Sequence, residues 1–121
     1  LTEVEWAWCA GLFEGEGCIS FTGLNCVRLS VANCDYEVLD KLDALWPSTN
    51  GVKLHHEQRG NHSACYAWEI GERDRVRGFL TGILPWLCTR RRKRALAALK
   101  RLEGNLGQGG ALNADKTRLA A

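Results

Sequence analysis

Four groups of side chains in this sequence have the types and spacing for chemistry. The first is an acid pair, Glu14 and Glu16, alternating with Gly15 and Gly17 at the end of a helical pattern. Acids at a helix C-terminus oppose the backbone dipole, so local helix stability does not account for them. The second is a basic run: Arg90, Arg91, Arg92, Lys93, Arg94, Lys100 and Arg101 supply seven of the sixteen basic side chains, leaving nine against fourteen acids elsewhere. In a chain of net charge +2, that segregation fits a polyanionic partner touching one part of the molecule. The third is six cysteines, Cys9, Cys18, Cys26, Cys34, Cys65 and Cys88. They are scattered without a C-x-x-C pair, a spacing that makes no compact zinc site and reads as free thiols in a reducing compartment. The fourth is His55, His56, Asn61 and His62, the residue types of an HNH nuclease centre. That centre needs a ββα metal finger, whereas these residues fall on a hairpin tip with no helix following at the right distance.

The elements that must position these groups are legible from periodicity. Thr2-Glu3-Val4-Glu5 is a capping box, and Val4, Trp8 and Leu12 recur at helical spacing, which predicts a first helix ending near Glu14. From Cys18 the period becomes two: Ile19 and Phe21 against Ser20 and Thr22, a turn at Gly23-Leu24-Asn25, then Val27, Leu29 and Val31 against Arg28 and Ser30. A helix from about Asp35 buries Val38, Leu42 and Leu45 and stops before Pro47. The pattern then repeats. Val52 and Leu54 open a strand, Arg59-Gly60-Asn61 turns, residues 63–70 return, and Val76, Phe79, Leu80, Ile83 and Leu84 mark a third helix broken by Pro85. A basic helix runs from about Thr89 to Glu103, and the Gly-rich stretch 104–110 reads as a linker.

That order predicts an α+β domain, a four-stranded antiparallel sheet with helices on one face, over residues 1–103, followed by a tail over 104–121. At 121 residues, 45% apolar and 25% charged, the chain is one ordinary globular domain. No apolar run approaches the roughly 20 residues of a bilayer span, and the acidic start at residues 1–5 does not look like a secretory leader. The open sheet face carries Ser20, Thr22, Arg28, Ser30, Lys53, His55, Glu57 and Arg59, groups able to read base edges in a major groove. A solvated sheet face is the commoner fate of such a pattern. In the fourth strand Tyr66 and Trp68 share one face and Cys65 and Ala67 the other, and the pattern does not say which is buried.

Cys9-Ala10-Gly11-Leu12-Phe13-Glu14-Gly15-Glu16-Gly17 resembles the signature of the LAGLIDADG homing endonucleases, with an aromatic for the Ile and Glu16 for the final aspartate. The helix-hairpin-helix-hairpin-helix order is that family's fold, and the resemblance covers residues 3 to about 102. Leu84-Pro85-Trp86-Leu87 before a basic helix is similar to the family segment carrying an active-site lysine. The tail 111–118 is similar to the end of a dimeric algal intron-encoded member, where it meets DNA backbone.

The resemblance implies a site-specific double-strand DNA endonuclease. One copy of the signature implies a homodimer, packed through Ala10, Gly11 and Phe13. Glu16 and the Gly15 carbonyl would hold Mg²⁺ (or Mn²⁺) against a phosphate. Asn33 would order the attacking water, and Arg90, with Lys93 as a nearby rival, would offset charge on the phosphorane. DNA contacts would come from Ser20, Thr22, Arg28, Ser30, Lys53, His55, Arg59 and Tyr66 on the sheet, and from Arg91, Arg92, Arg94, Lys116 and Arg118 on the phosphates. No small-molecule cofactor and no membrane enter this reading. Frequent Gly, Ala, Arg and Trp suit a GC-rich bacterial or phage genome, hence an intracellular protein in such a cytoplasm or in an organelle. The competing reading is a DNA- or RNA-binding protein on the same fold without cleavage, such as a maturase or transcription regulator.

Overall fold

The structure is a computed structural model; it describes residues 1–57, 60 and 63–109, with side chains as far as residue 103. The capping box forms as the sequence predicts. Thr2 Oγ1 accepts from the Glu5 amide at 3.1 Å and Glu5 Oε1 accepts from the Thr2 amide at 2.9 Å, a cap worth about 1 kcal/mol. The helix it starts, α1, spans Glu3–Glu16, two residues past the predicted end. It stops only where Gly17 opens the first strand, β1 (Gly17–Thr22). A Cβ at Gly17 would overlap the Phe13 ring, so helix and strand join directly only because that position has no side chain.

β1 pairs antiparallel with β2 (Cys26–Asn33) from Gly17↔Val31 to Thr22↔Cys26, and Gly23 takes the left-handed conformation (φ 60°) that the three-residue turn requires. α2 (Tyr36–Leu45) is capped by Asp35. It buries Leu39 and Leu42, whereas the predicted Val38 and Leu45 are half-buried. β3 (Lys53–His56) and β4 (Cys65–Ile70) complete a sheet of order β1-β2-β4-β3. β3 is exposed along its length, Leu54 included, and slips register by a bulge between Leu54 and His56. α3 (Arg73–Ile83) buries Val76, Phe79, Leu80 and Ile83. A single 3-10 turn at Leu84–Trp86 follows, with Pro85 inside it.

The last helix, α4, runs Thr89–Gly109, through residues expected to be a linker. The boundary predicted after residue 103 therefore falls inside a helix. Once a helix is anchored by buried side chains, here Ala95, Ala98 and Leu102, each further residue adds a backbone bond at a glycine cost of only about 1 kcal/mol.

The helices cover one face of the sheet, against Ile19, Val27, Leu29, Val31, Trp68 and Ile70. Phe79 is the hub of the core, with the rings of Trp68, Phe13, Trp6 and Trp46 at 5.1, 5.8, 6.0 and 6.1 Å. The indole N–H groups of Trp68 and Trp46 are satisfied by the Trp46 and Arg75 carbonyls, as large half-polar rings require when buried. α1 meets this core through the buried Cys9, Ala10 and Phe13, with Trp6, Trp8 and Leu12 packed partly against it, so of the predicted stripe only Val4 stands clear. Val4 is 79% exposed. Cys9 lies in the core, where burial, with the Glu5 charge adding to it, pushes its thiol up to about 11. All six cysteines are free thiols.

Candidate metal and nucleic-acid site

Glu16 is the last residue of α1 and is exposed. Beside it Gly15 is exposed, and a Cβ placed there would meet nothing within 4 Å. The Gly17 amide takes the Phe13 carbonyl, so the carbonyls of residues 14–16, Gly15's among them, have no donor further along the helix. A carboxylate with neighbouring free carbonyls is an all-oxygen donor set, which suits a hard divalent cation. Among the described residues no group of three or more His, Cys, Asp or Glu side chains converges within one chain. A metal held by the Glu16 carboxylate would therefore need further oxygens from water, phosphate or a second chain.

Glu14 has a different task. Its Oε1 accepts from the Cys88 amide at 2.9 Å, at the residue before α4 begins, so it ties the end of α1 to the start of the basic helix. Arg90 is exposed in the first turn of that helix. Asn33 ends β2, two residues beyond Val31, which pairs with Gly17; it lies at the same end of the sheet as Glu16. Its Oδ1 accepts from the Asp35 amide at 2.7 Å, and its amide N–H₂ has no partner among the described residues. Gly15, Glu16 and Asn33 thus share one end of the sheet, and the Glu14–Cys88 bond brings the start of α4, which carries Arg90, to the end of α1.

The reading-face residues divide. Alternation puts Ser20, Thr22, Arg28 and Ser30 opposite the buried Ile19, Val27, Leu29 and Val31, with Ser20↔Arg28 directly paired. Lys53 pairs with Ala67, and with Arg28, His55 and Glu69 it lines a shallow hollow on the open side. Tyr66 does not join them. Trp68 and Ile70 are fully buried, which settles the parity of β4 and turns Tyr66 toward the helices, where its ring meets Tyr36 edge-on at 5.2 Å. Its placement on the DNA-reading face is corrected accordingly. Arg59, Lys116 and Arg118 lie outside the described residues, as do Asn61 and His62 of the HNH reading; His55 and His56 sit on β3, and the next element is a strand.

The interface residues need a larger correction. Ala10 and Phe13 are 1% and 0% exposed, consumed by the chain's own core, and have no surface to offer a partner. Gly11 is exposed with open space above it. It shares the outward side of α1 with Val4 and Gly15, with Trp8 at the margin, packed partly on the core and under the Lys41 ammonium at 4.4 Å. Gly15, one turn from Gly11 by its i, i+4 spacing, is a further small residue on that side.

On α4, Arg91 lies over the Phe13 ring at 5.7 Å. Arg92 donates to the Pro85 and Leu87 carbonyls at 3.3 and 3.4 Å. Arg94 and Arg101 both stack on Phe21 and donate to the Ile19 and Gly23 carbonyls at 3.0 and 2.6 Å. Arg94 and Arg101 brace the helix against the edge strand β1, while Arg91 and Arg92 hold it to α1 and to the segment before it. Arg90, Lys93 and Lys100 have no intramolecular partner among the described residues.

No protein-family model matches the sequence, and no curated protein matches it. Solved structures do match. The homing endonuclease I-CvuI, in complex with the I-CreI target, is 17% identical, with a TM-score of 0.63 over 84% of this chain and 67% of that one. The LAGLIDADG homing endonuclease I-SmaMI, bound to cleaved DNA, is 19% identical with a TM-score of 0.63 over 85% of this chain and 36% of its own. An archaeal intron-encoded homing endonuclease complexed with DNA is 12% identical, with a TM-score of 0.64 over 85% of this chain and 69% of that one. The chain has the LAGLIDADG homing endonuclease fold.

Proposed function

We propose that the protein is a metal-dependent, site-specific double-strand DNA endonuclease that acts as a homodimer. One observation carries the reading: α1 is apolar on two opposite sides. Trp6, Cys9, Ala10 and Phe13 fill the core, while Val4, Gly11 and Gly15 stand exposed with the half-buried Trp8, and acids separate the two stripes. A helix that keeps a second small and apolar stripe outside its own core has a face left for a partner. Two glycines one turn apart let a second α1 approach closely, as small residues do at tight helix crossings. Copies joined along that stripe bring two Glu16 carboxylates together, supplying the acid that one chain lacks.

The exposed Glu16 carboxylate and the Gly15 carbonyl fit Mg²⁺ or Mn²⁺ as hard oxygen donors. A cation bound there would supply charge neutralisation at the phosphate and a more acidic water. Glu16 holds the site's negative charge at the scissile phosphate. The amide N–H₂ of Asn33 donates to the oxygen of the attacking water and orients it. Arg90, without a partner among the described residues, faces the phosphate oxygens as charge accumulates on them. Double-stranded DNA as partner is supported by the three similar folds having been captured on DNA. The open sheet face takes the bases, and Arg90, Lys93 and Lys100 the backbone, with Lys116 and Arg118 of the tail added to the latter.

The test is a cleavage selection on a randomised palindromic DNA library with Mg²⁺. Cut molecules sharing two half-sites related by a twofold axis are expected, since a dimer's symmetry is mirrored in its target. A library that is bound selectively but left intact would favour the non-cleaving maturase or regulator instead.

A further inference from the structure

We infer that Glu69 selects a cytosine in each half-site, a role that rests on the open sheet face being the base-reading surface. Glu69 is exposed on β4, one of the two inner strands, and pairs with Ser30 across β2. It is the only acid on the four strands' open side among the described residues, in the company of Arg28, Lys53 and His55 around one hollow. Neighbouring cations would ordinarily explain such an acid, yet its carboxylate forms no ion pair among the described residues; those found are Glu72 with Arg75 and Asp74 with Arg77. Its backbone is fixed instead, the carbonyl accepting from the Thr49 amide at 2.9 Å. Glu69 is thus a held, unneutralised, acceptor-only group at the centre of a surface otherwise rich in donors.

On a polyanion that arrangement has few uses. A carboxylate is repelled by phosphates, and an inner strand sits over bases rather than backbone. In the major groove guanine offers acceptors at O6 and N7 and thymine at O4. Adenine's N6 donor sits beside the N7 acceptor, which opposes a carboxylate, whereas cytosine offers the N4 amino donor alone, the usual partner of Glu. Opposite any base edge lacking a donor, Glu69 would face acceptor to acceptor, so it rejects as well as selects. Arg28 lies next along the same face. Its Nη1 occupies the space a Cβ at Gly71 would take, 2.5 Å away, so the missing side chain leaves room for the guanidinium. A guanidinium suits guanine O6 and N7. The Arg28–Glu69 pair therefore calls for a G·C-rich step at one fixed position of each half-site.

The experiment is a binding selection on half-site-randomised duplex DNA with the full chain, Glu69→Gln and Glu69→Ala. The parent is expected to enrich cytosine at one position per half-site. Glu69→Gln should move that position toward adenine, whose N6 and N7 suit an amide. Glu69→Ala should lose roughly tenfold in discrimination there and leave the other positions unchanged. Unchanged preferences in both variants would overturn the assignment to Glu69 alone. A parent that enriches no sequence would overturn the DNA-reading function beneath it, a different and recognisable failure.

Discussion

Glu14 and Glu16 are two residues apart on one helix end and are employed differently, one inside the fold and one outside it. Glu14 accepts the Cys88 amide and so fixes where α4 begins. Glu14→Gln keeps an oxygen acceptor and should melt near the parent. Glu14→Ala should lose about 1–2 kcal/mol, as expected for a hydrogen bond to a charged group, and a few degrees of melting temperature. Equal melting of both variants, measured by circular dichroism, would contradict the tether. At this scale the place of Glu16 at a helix–strand junction is legible because acid and glycine alternate where a helical period gives way to a strand. Tyr66 is not, because residues 65–68 are apolar on both faces of β4 and the polar Glu69 comes too late to break the tie without Trp68 and Ile70 being known as core.

α1 shows why an element's type can be read more easily than its orientation. The Val4, Trp8 and Leu12 spacing correctly announces a helix, but a second apolar stripe, Trp6, Cys9 and Phe13, satisfies the same period half a turn away. Which stripe a helix gives to its own core depends on what the rest of the chain packs against it, here the aromatic hub at Phe79. Val4, Gly11 and Gly15 are left on the outward side. Gly11→Leu adds bulk where nothing lies within 4 Å, so it should leave the fold and its melting intact while light scattering shows the dimer disrupted. A variant that still dimerises would remove α1 from the interface. On α4, the arginines braced on carbonyls and on Phe21 stabilise, whereas unpaired cations are available to phosphate. Arg90→Ala should lower the slope of log K against log salt by about one for each phosphate no longer neutralised. Arg94→Ala should chiefly lower the melting temperature. Indistinguishable effects of the two on salt dependence would contradict that division.

As a whole, the molecule is a sheet with helices on one side and a polar, donor-rich face on the other, with the exposed acid of α1 at one end. Order, sheet sense and the one-sided helix layer followed from alternation and breakers alone, since each hairpin and helix satisfies its own local period. The length of α4 did not, because glycine content argues for a linker only when no packed helix precedes it. At this scale lies the central claim, that two copies place paired Glu16 carboxylates on DNA. The most direct measurement compares nicking rate and affinity of the parent and Glu16→Gln on one selected site with Mg²⁺. The account predicts cleavage lower by orders of magnitude, because the charge that holds the cation is gone, with specific binding retained, because the base and backbone contacts lie on the sheet and α4. A Glu16→Gln protein cutting at the parent rate would contradict it.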